Sequence, residues 1–386
     1  LVNFNYVPLL KKMNLIDKLL NNTLYRNKYK TDSEAVIIAC YFNPQNNPYR
    51  LKAFNIFYDS IKHLNHRIVE CTINNSEPEL PKTKFITHIH TSSLLWHKEA
   101  LLNNIIKNLD RKFKYVFWLD ADIIFTDKHW LVNSVEVLKY KNILQPFEYC
   151  VHLEKDKLTP TFKTKDYHPN CLLSEKKLRH PNLWRSFCAN YVTTNLSESE
   201  NYDLHGHVGF AWGARRDALD KILLYDRALI GGADHIMAHA AAGHIGHTCI
   251  TKSFTDDIEA VNDWSRKFYS VIGGSIGYVE GEVRHIWHGD LTKRDYLNRI
   301  KNFTNTSKTI TEKDSNGLHI TSDDSYVKRY FEQREVKSDN DGDFLTSMVV
   351  ANMTDSAIIG NAIGGNMMGS ILGESLNDDK NNENFS

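Results

Sequence analysis

The chain has no excess of charge of either sign: Lys+Arg and Asp+Glu both total 47 in 386 residues. Without a global field it has no general attraction for nucleic acid or for an anionic membrane, although a local basic patch is compatible with that balance. Paired cysteines are also missing. Cys40, Cys71, Cys150, Cys171, Cys188 and Cys249 are scattered with no metal-type spacing between neighbours. Cys40 and Cys71 lie inside apolar, strand-like runs, where free thiols pack as small hydrophobes. That usage fits a reducing compartment, and the cytoplasm is the expected location. No basic-apolar-small leader opens the chain; Leu1 is an odd first residue, and Met13 is an alternative start. Repeats of solenoid period are absent. No strongly apolar run of membrane-spanning length occurs either, so no transmembrane span is expected. The nearest candidate, Ser356–Gly373, is uncharged but interrupted by Asn361, Asn366 and several glycines. It reads as a flexible or partner-associating appendage.

What remains is an ordinary globular composition, 41% hydrophobic and 24% charged, which allows one large domain or two smaller ones. Residues 1–30 are Asn- and Lys-rich, with one short amphipathic piece at Leu15–Leu20, and read as an arm. A buried strand is expected at Ala35–Tyr41, ending in the turn-forming loop Asn43–Pro48. Phe54, Phe57, Tyr58, Ile61 and Leu64 then recur at helical spacing. Further strands are expected at Arg67–Thr72 and Lys84–Ile89, and a helix is marked by Leu101, Ile105 and Leu109. Later come a helix around His129–Leu138, a strand at Asn142–Pro146, and polar loops over residues 150–200. Strands are expected at His207–Gly213 and Val283–Gly289, and helices over Arg215–Leu224 and, following Gly231–His235, through Ala242. Strands alternating with helices predict a mainly parallel α/β sheet over residues 31–300. Residues 301–386 form a polar extension and Gly-rich tail.

The most informative stretch is Tyr115–Asp122, in which five bulky apolar residues run into two carboxylates separated by Ala121. A continuous apolar run predicts a strand buried on both faces. Asp120 and Asp122 then stand at its carboxyl end, where ligands of open α/β sheets bind. Clustered carboxylates repel unless a cation or proton joins them, and hard oxygen ligands suit Mg²⁺ or Mn²⁺. A diphosphate carrying a sugar is the natural partner for such an ion. The plain structural alternative is a turn in which both aspartates cap the segment from Ile123.

Asp120-Ala121-Asp122 after an apolar strand, Gly231-Gly232-Ala233-Asp234 farther on and Trp287-His288-Gly289 near the end occur in one characteristic order. In that combination the chain resembles, from about Glu34 to Arg299, the metal-dependent glycosyltransferases of the GT-A fold. The resemblance implies Mn²⁺ (or Mg²⁺) on the diphosphate of a nucleotide sugar, a UDP-sugar in the first place. It implies Asp122 as direct ligand, Asp120 as ligand or donor contact, and His288 as a further ligand with His285 its competitor. Tyr41 and Asn43 fall where the family contacts base and ribose. Glu70, Lys98 and Asn103 are further candidates on the donor side, each with a solvated or structural alternative. Gly231 and Gly232 let the backbone approach a sugar closely. Asp234 is placed as the base of an inverting transfer, or as the cap of the following helix. Trp212, with Phe210 and Trp287, offers a stacking platform or core packing, and Arg215-Arg216 a phosphate contact or a solvated helix start. No acidic pair follows the tryptophan at Gly206–Gly213, so the sugar and stereochemistry are not carried over. The acceptor is left open among glycan, protein and small molecule, and a homo-oligomer is compatible.

Three other readings compete. A haloacid-dehalogenase-type phosphotransferase also places Asp-x-Asp after a strand, but wants a small residue pair where Ile123-Ile124 stand. A catalytically silent glycan-binding or scaffold protein would share the fold. His235, His239, His244 and His247 suggest zinc, yet the His-Glu-x-x-His glutamate and an obvious third-ligand spacing are missing, so zinc is not expected there.

Overall fold

The computed structural model describes residues 33–74, 76–167, 180–200, 202–253, 257–289, 312–321 and 325–332. All of them belong to one compact unit, Leu1–Asp341. The N-terminal arm and the Ser356–Gly373 tail lie outside the described residues.

Apolar runs become the strands of a central sheet. β1 (Ala35–Phe42), β2 (His66–Ile73), β3 (Ile86–Thr91) and β4 (Tyr115–Leu119) are mutually parallel where they pair. Two three-residue strands follow β4 along the chain, β5 (Ile123–Phe125) and β6 (Ile143–Gln145). Then come β7 (Tyr149–His152), β8 (Leu183–Arg185), β9 (Ala211–Arg215), β10 (Ile276–Tyr278) and β11 (Glu282–His285). The large sheet has seven strands in the order β10-β6-β9-β4-β1-β2-β3, with β9 antiparallel to both its neighbours. From β3 the chain crosses back to place β4 on the other side of β1. The crevice at the carboxyl ends of β1 and β4 is therefore a topological switch point, where open α/β sheets bind ligands.

The two-residue side-chain period sends alternate strand residues to opposite faces. Ile37, Ala39, Phe117 and Leu119 join one core under α1 (Pro48–Ile61), whose Phe54, Phe57 and Ile61 are buried. Val36, Ile38, Val116 and Trp118 join a second, beneath α2 (Lys98–Asn108). At the middle of the sheet β9 brings Gly213 opposite Phe117. A Cβ on Gly213 would lie 2.4 Å from that ring, so only glycine admits it.

β5, β11, β7 and β8 make a second, four-stranded sheet. Residues 150–200 thus do not form loops alone: they contribute β7, β8 and α4 (Phe187–Thr193), which follows α3 (Trp130–Leu138) in chain order. Ser186 caps α4 by accepting the Ala189 N–H at 3.1 Å. Those strands are too short for alternation to show in sequence. The Arg215–Leu224 helix shrinks to one turn, Arg216–Leu219, while α5 (Ala233–Ala242) forms as expected. α6 (Ile258–Ile272), absent from the sequence reading, buries Val261, Phe268 and Ile272. No helix among the described residues is long and apolar enough to cross a membrane.

Candidate active site

β4 ends at Leu119, and Asp120 is fixed at once by its N–H, which donates to the Phe210 carbonyl at 2.8 Å. Phe210 is itself held at φ +77°, uncommon for an aromatic residue. Asp122 follows, and β5 begins at Ile123. The pair therefore bridges the two sheets rather than capping a helix. β11 returns antiparallel to β5 with His285 opposite Ile123, and the Ile286 N–H donates to the Asp122 carbonyl at 2.8 Å. That pairing delivers both late histidines to Asp122. His288 Nε2 lies 2.9 Å from Asp122 Oδ2 and His285 Nε2 lies 3.7 Å from it. One ligand atom from each of the three residues falls within 4.8 Å of the others.

Asp120 stands apart from this triad. Its Oδ1 is 2.6 Å from Lys98 Nζ, and Asp234 Oδ2 is 3.0 Å from the same ammonium. Lys98 opens α2, where a cation opposes the positive end of the helix dipole. The two aspartates offset that cost. Burial alone would lower the lysine's pKa, but Asp120 and Asp234 outweigh it and hold the group well above its usual value. Burial pushes the Asp120 carboxyl up to about 6 against the pull of Lys98. It pushes Glu99, next along α2 and also buried, up to about 8.

Asp234 reaches the site because Gly231 and Gly232 adopt φ +93° and +99°, turning the chain through the left-handed region immediately before α5. Gly232, not Asp234, occupies the cap position; Asp234 is in the first turn. Gly209 passes beside it, where a Cβ would lie 3.8 Å from Asp234 Oδ2.

On the β1 side, the Tyr41 hydroxyl donates to Glu79 Oε2 at 2.7 Å and Asn43 Nδ2 donates to the same oxygen at 2.8 Å. Glu70 does not face this loop's opening. It is buried, and its oxygens accept the Glu79 and Leu80 N–H groups at 2.7 and 2.9 Å, bracing Glu79 from behind. Asn47 caps α1 through Tyr49 N and donates from Nδ2 to the His288 carbonyl at 3.2 Å, tying the first loop to the last histidine.

Other candidates belong to the scaffold. Asn103 is buried on α2 and clamps Leu224, donating to its carbonyl at 2.9 Å and accepting its N–H at 3.0 Å. Trp212 is buried within the second core, with Nε1 donating to the Val208 carbonyl at 2.8 Å, and presents no platform. Phe210 stacks on His207 at 4.2 Å between centroids. Arg215 pairs with Asp217 and Arg216 with Asp220. Trp287 is half-buried, edge-on to Tyr49 at 4.9 Å, with Lys155 Nζ 5.5 Å from its ring. Glu79, Glu99 and Asn47 went unread in the sequence, because their roles depend on partners remote along the chain.

Three aspartates against one lysine leave this corner rich in negative charge. One carboxylate oxygen with two imidazole nitrogens is a donor set that a divalent ion of the Mn²⁺ type accepts, with coordination positions left for substrate oxygens. Asp122, His285 and His288 thus fit such an ion.

No protein-family model matches the chain, and no curated protein matches it. Similar solved structures include mannosyl-3-phosphoglycerate synthase from Rubrobacter xylanophilus, 11% identical, covering 74% of this chain and 77% of that one with TM-score 0.36. Glucosyl-3-phosphoglycerate synthase from Mycobacterium tuberculosis, in complex with Mn²⁺, uridine diphosphate and glucosyl-3-phosphoglycerate, is 9% identical, covering 77% and 90% with TM-score 0.36. The catalytic domain of Drosophila beta1,4galactosyltransferase 7, in complex with xylobiose, is 10% identical, covering 53% and 59% with TM-score 0.24. These likenesses are remote, and the chemistry rests on this chain's own residues.

Proposed function

We propose that the chain is a metal-dependent glycosyltransferase of the GT-A type. It would move a sugar from a nucleotide-diphosphate donor, a UDP-sugar by preference, to an acceptor hydroxyl. The observation that carries this reading is the convergence of Asp122, His285 and His288 at the carboxyl end of the central strand, beside the Asp120–Lys98–Asp234 relay. A Mn²⁺ or Mg²⁺ ion held by that triad would supply Lewis-acid stabilisation of the diphosphate leaving group. Lys98 adds a positive charge from the start of α2 for the donor's phosphates or sugar. Tyr41, Asn43 and Glu79 line the β1 side, where the base and ribose would sit, and Glu70 keeps Glu79 in place.

Asp234 would be the group that takes the acceptor's proton. Its Oδ2 is engaged by Lys98, so Oδ1 is the oxygen assigned to the incoming hydroxyl. Proton removal during attack contributes typically ~10²–10⁴-fold, and a single displacement inverts the anomeric centre.

The test is a thermal-shift panel of nucleotide sugars with and without Mn²⁺, followed by donor hydrolysis and transfer. A ligand at ~100 times its Kd adds about 2.7 kcal/mol of stability, a readily seen rise in Tm. A metal-dependent rise with one donor series and release of nucleoside diphosphate are expected. No shift with any nucleotide sugar, or turnover undiminished by chelator, overturns the reading.

A further inference from the structure

A second cluster of metal-type side chains lies on α5, immediately after Asp234. His235 and His239 are one helical turn apart and share a face. The fold adds two residues that no local spacing announces. His205 comes from the end of the one-turn helix Tyr202–His205, and Cys249 from the turn Thr248–Thr251. The imidazole centroids stand 5.1 Å apart for His205–His235, 5.0 Å for His205–His239 and 4.9 Å for His235–His239. Cys249 Sγ lies 3.5 Å from His239 Nε2. One ligand atom from each of the four residues falls within 4.8 Å of all the others.

We propose that His205, His235, His239 and Cys249 bind one zinc ion in a closed, structural site. Zinc bonds of ~2.0–2.1 Å to nitrogen and ~2.3 Å to sulfur in a tetrahedron require N···S separations of about 3.5 Å. The His239–Cys249 pair already has that separation. The remaining ligand atoms, all within 4.8 Å of one another, need to close in by at most about 1.5 Å to reach tetrahedral edges. His205 is also in the right tautomer. Its Nδ1 contacts the Gly206 carbonyl at 2.9 Å, and a carbonyl only accepts, so Nδ1 carries the proton and Nε2 presents a lone pair. A histidine ligand oriented by a backbone carbonyl is the usual outer-shell arrangement at zinc. His247 Nδ1, 3.4 Å from Cys249 Sγ, is positioned to support the thiolate from outside.

The donor set separates this ion from the one assigned to Asp122. A thiolate and three imidazoles favour zinc over the hard, oxygen-seeking Mg²⁺ and Mn²⁺. Four protein ligands leave no open position, so the ion holds structure instead of binding substrate. Core packing of aromatic rings is the competing explanation, and Phe187 does pack on His239 at 5.3 Å. Packing accounts for stacked rings. It does not call for a thiol at tetrahedral distance from the third imidazole. Zinc here would join three separate segments and fix the helix whose first turn carries Asp234.

The experiment uses the full chain, produced with zinc in the medium and dialysed against metal-free buffer. Elemental analysis should find one zinc per chain, retained in Asp122→Asn and lost in Cys249→Ser and His239→Ala. Removing the ion with a strong chelator should lower Tm, and added zinc should restore it where Mg²⁺ does not. Cobalt in its place should give the intense visible bands of tetrahedral geometry and a thiolate charge-transfer band that Cys249→Ser abolishes. A chain that neither carries zinc nor gains Tm from it overturns the proposal. So does equal zinc in wild type and Cys249→Ser. Should the His239 variant fail to fold, the cobalt spectrum of wild type decides, and octahedral cobalt refutes the site.

Discussion

At the scale of single residues, Asp122 and the two late histidines make separable predictions. Asp122→Asn keeps the side chain's size and removes the charge a divalent ion needs, so activity should fall by at least about 100-fold, equivalent to ~2.7 kcal/mol in the transition state. Melting temperature should stay near wild type. His288→Ala should weaken metal dependence strongly and His285→Ala less, following their distances of 2.9 and 3.7 Å from Asp122. Activation curves against Mn²⁺ concentration measure both. Equal behaviour of the two variants would make them scaffold. For Asp234→Asn, donor binding should persist while transfer collapses; a purely structural aspartate would lose stability and rate together. Much of this corner was legible in sequence. Asp120, Asp122 and Asp234 announce themselves by motif, and His288 by its place after a late apolar segment. Lys98 was readable only as a candidate, because its partners lie just past β4 and on α5. Glu79 was hidden for the same reason, as was the assignment of Glu70 to a buried brace. Sequence spacing says nothing about which of two acids turns inward.

At the scale of elements, long apolar runs survived translation into structure and short ones did not. β1 and β4 are read almost to the residue, since burial on both faces leaves few alternatives to Val, Ile, Phe and Trp. β7 and β8 escape because three or four residues cannot display a period. α6 could have been found, as its buried Val261, Phe268 and Ile272 recur at helical spacing. A late hairpin illustrates how a short element is held by charge. Its strands, Glu312–Lys313 and His319–Ile320, pair antiparallel. Lys313 Nζ reaches Asp226 Oδ2 at 2.6 Å, with His319 Nε2 3.7 Å from Oδ1. Burial would raise the Asp226 carboxyl, but hydrogen bonding and charge from His319 and Lys313 prevail and bring it down to about 2. Its folded pKa is thus below the unfolded value of about 3.9. The stability it contributes is present above about pH 4 and is lost as pH falls toward 2, on the order of 1–2 kcal/mol. Asp226→Asn should therefore be less stable than wild type at pH 6. The gap should narrow progressively below pH 4 in denaturant midpoints, and a gap that does not change with pH would remove the ion pair from the account.

At the scale of the molecule, the sheet and its two cores carry the site, and the last stretch of sequence has no assigned part in it. The polar extension and Gly-rich run read as an appendage. Truncation after Phe344 is expected to leave donor binding and turnover in solution. Loss of either, with folding intact, would show that the tail serves catalysis. The domain limits drawn from sequence, residues 31–300 with an arm before and a tail after, are a proposal of the same kind. The described residues 312–321 and 325–332 belong to the compact unit, so the working boundary is better placed beyond them.

The bond from Asn47 to the His288 carbonyl spans 241 positions of sequence. This has a consequence in time. Ribosomes extend a chain at roughly 5–20 residues per second, so the first loop waits on the order of tens of seconds for its partner. Until β11 and the segment after it emerge, Asp122 is on the nascent chain without the two imidazoles that converge on it in the folded protein. On the proposed function, a half-made domain would neither retain an ion nor turn over a nucleotide sugar, and competence would arrive only when nearly the whole sheet has been synthesised.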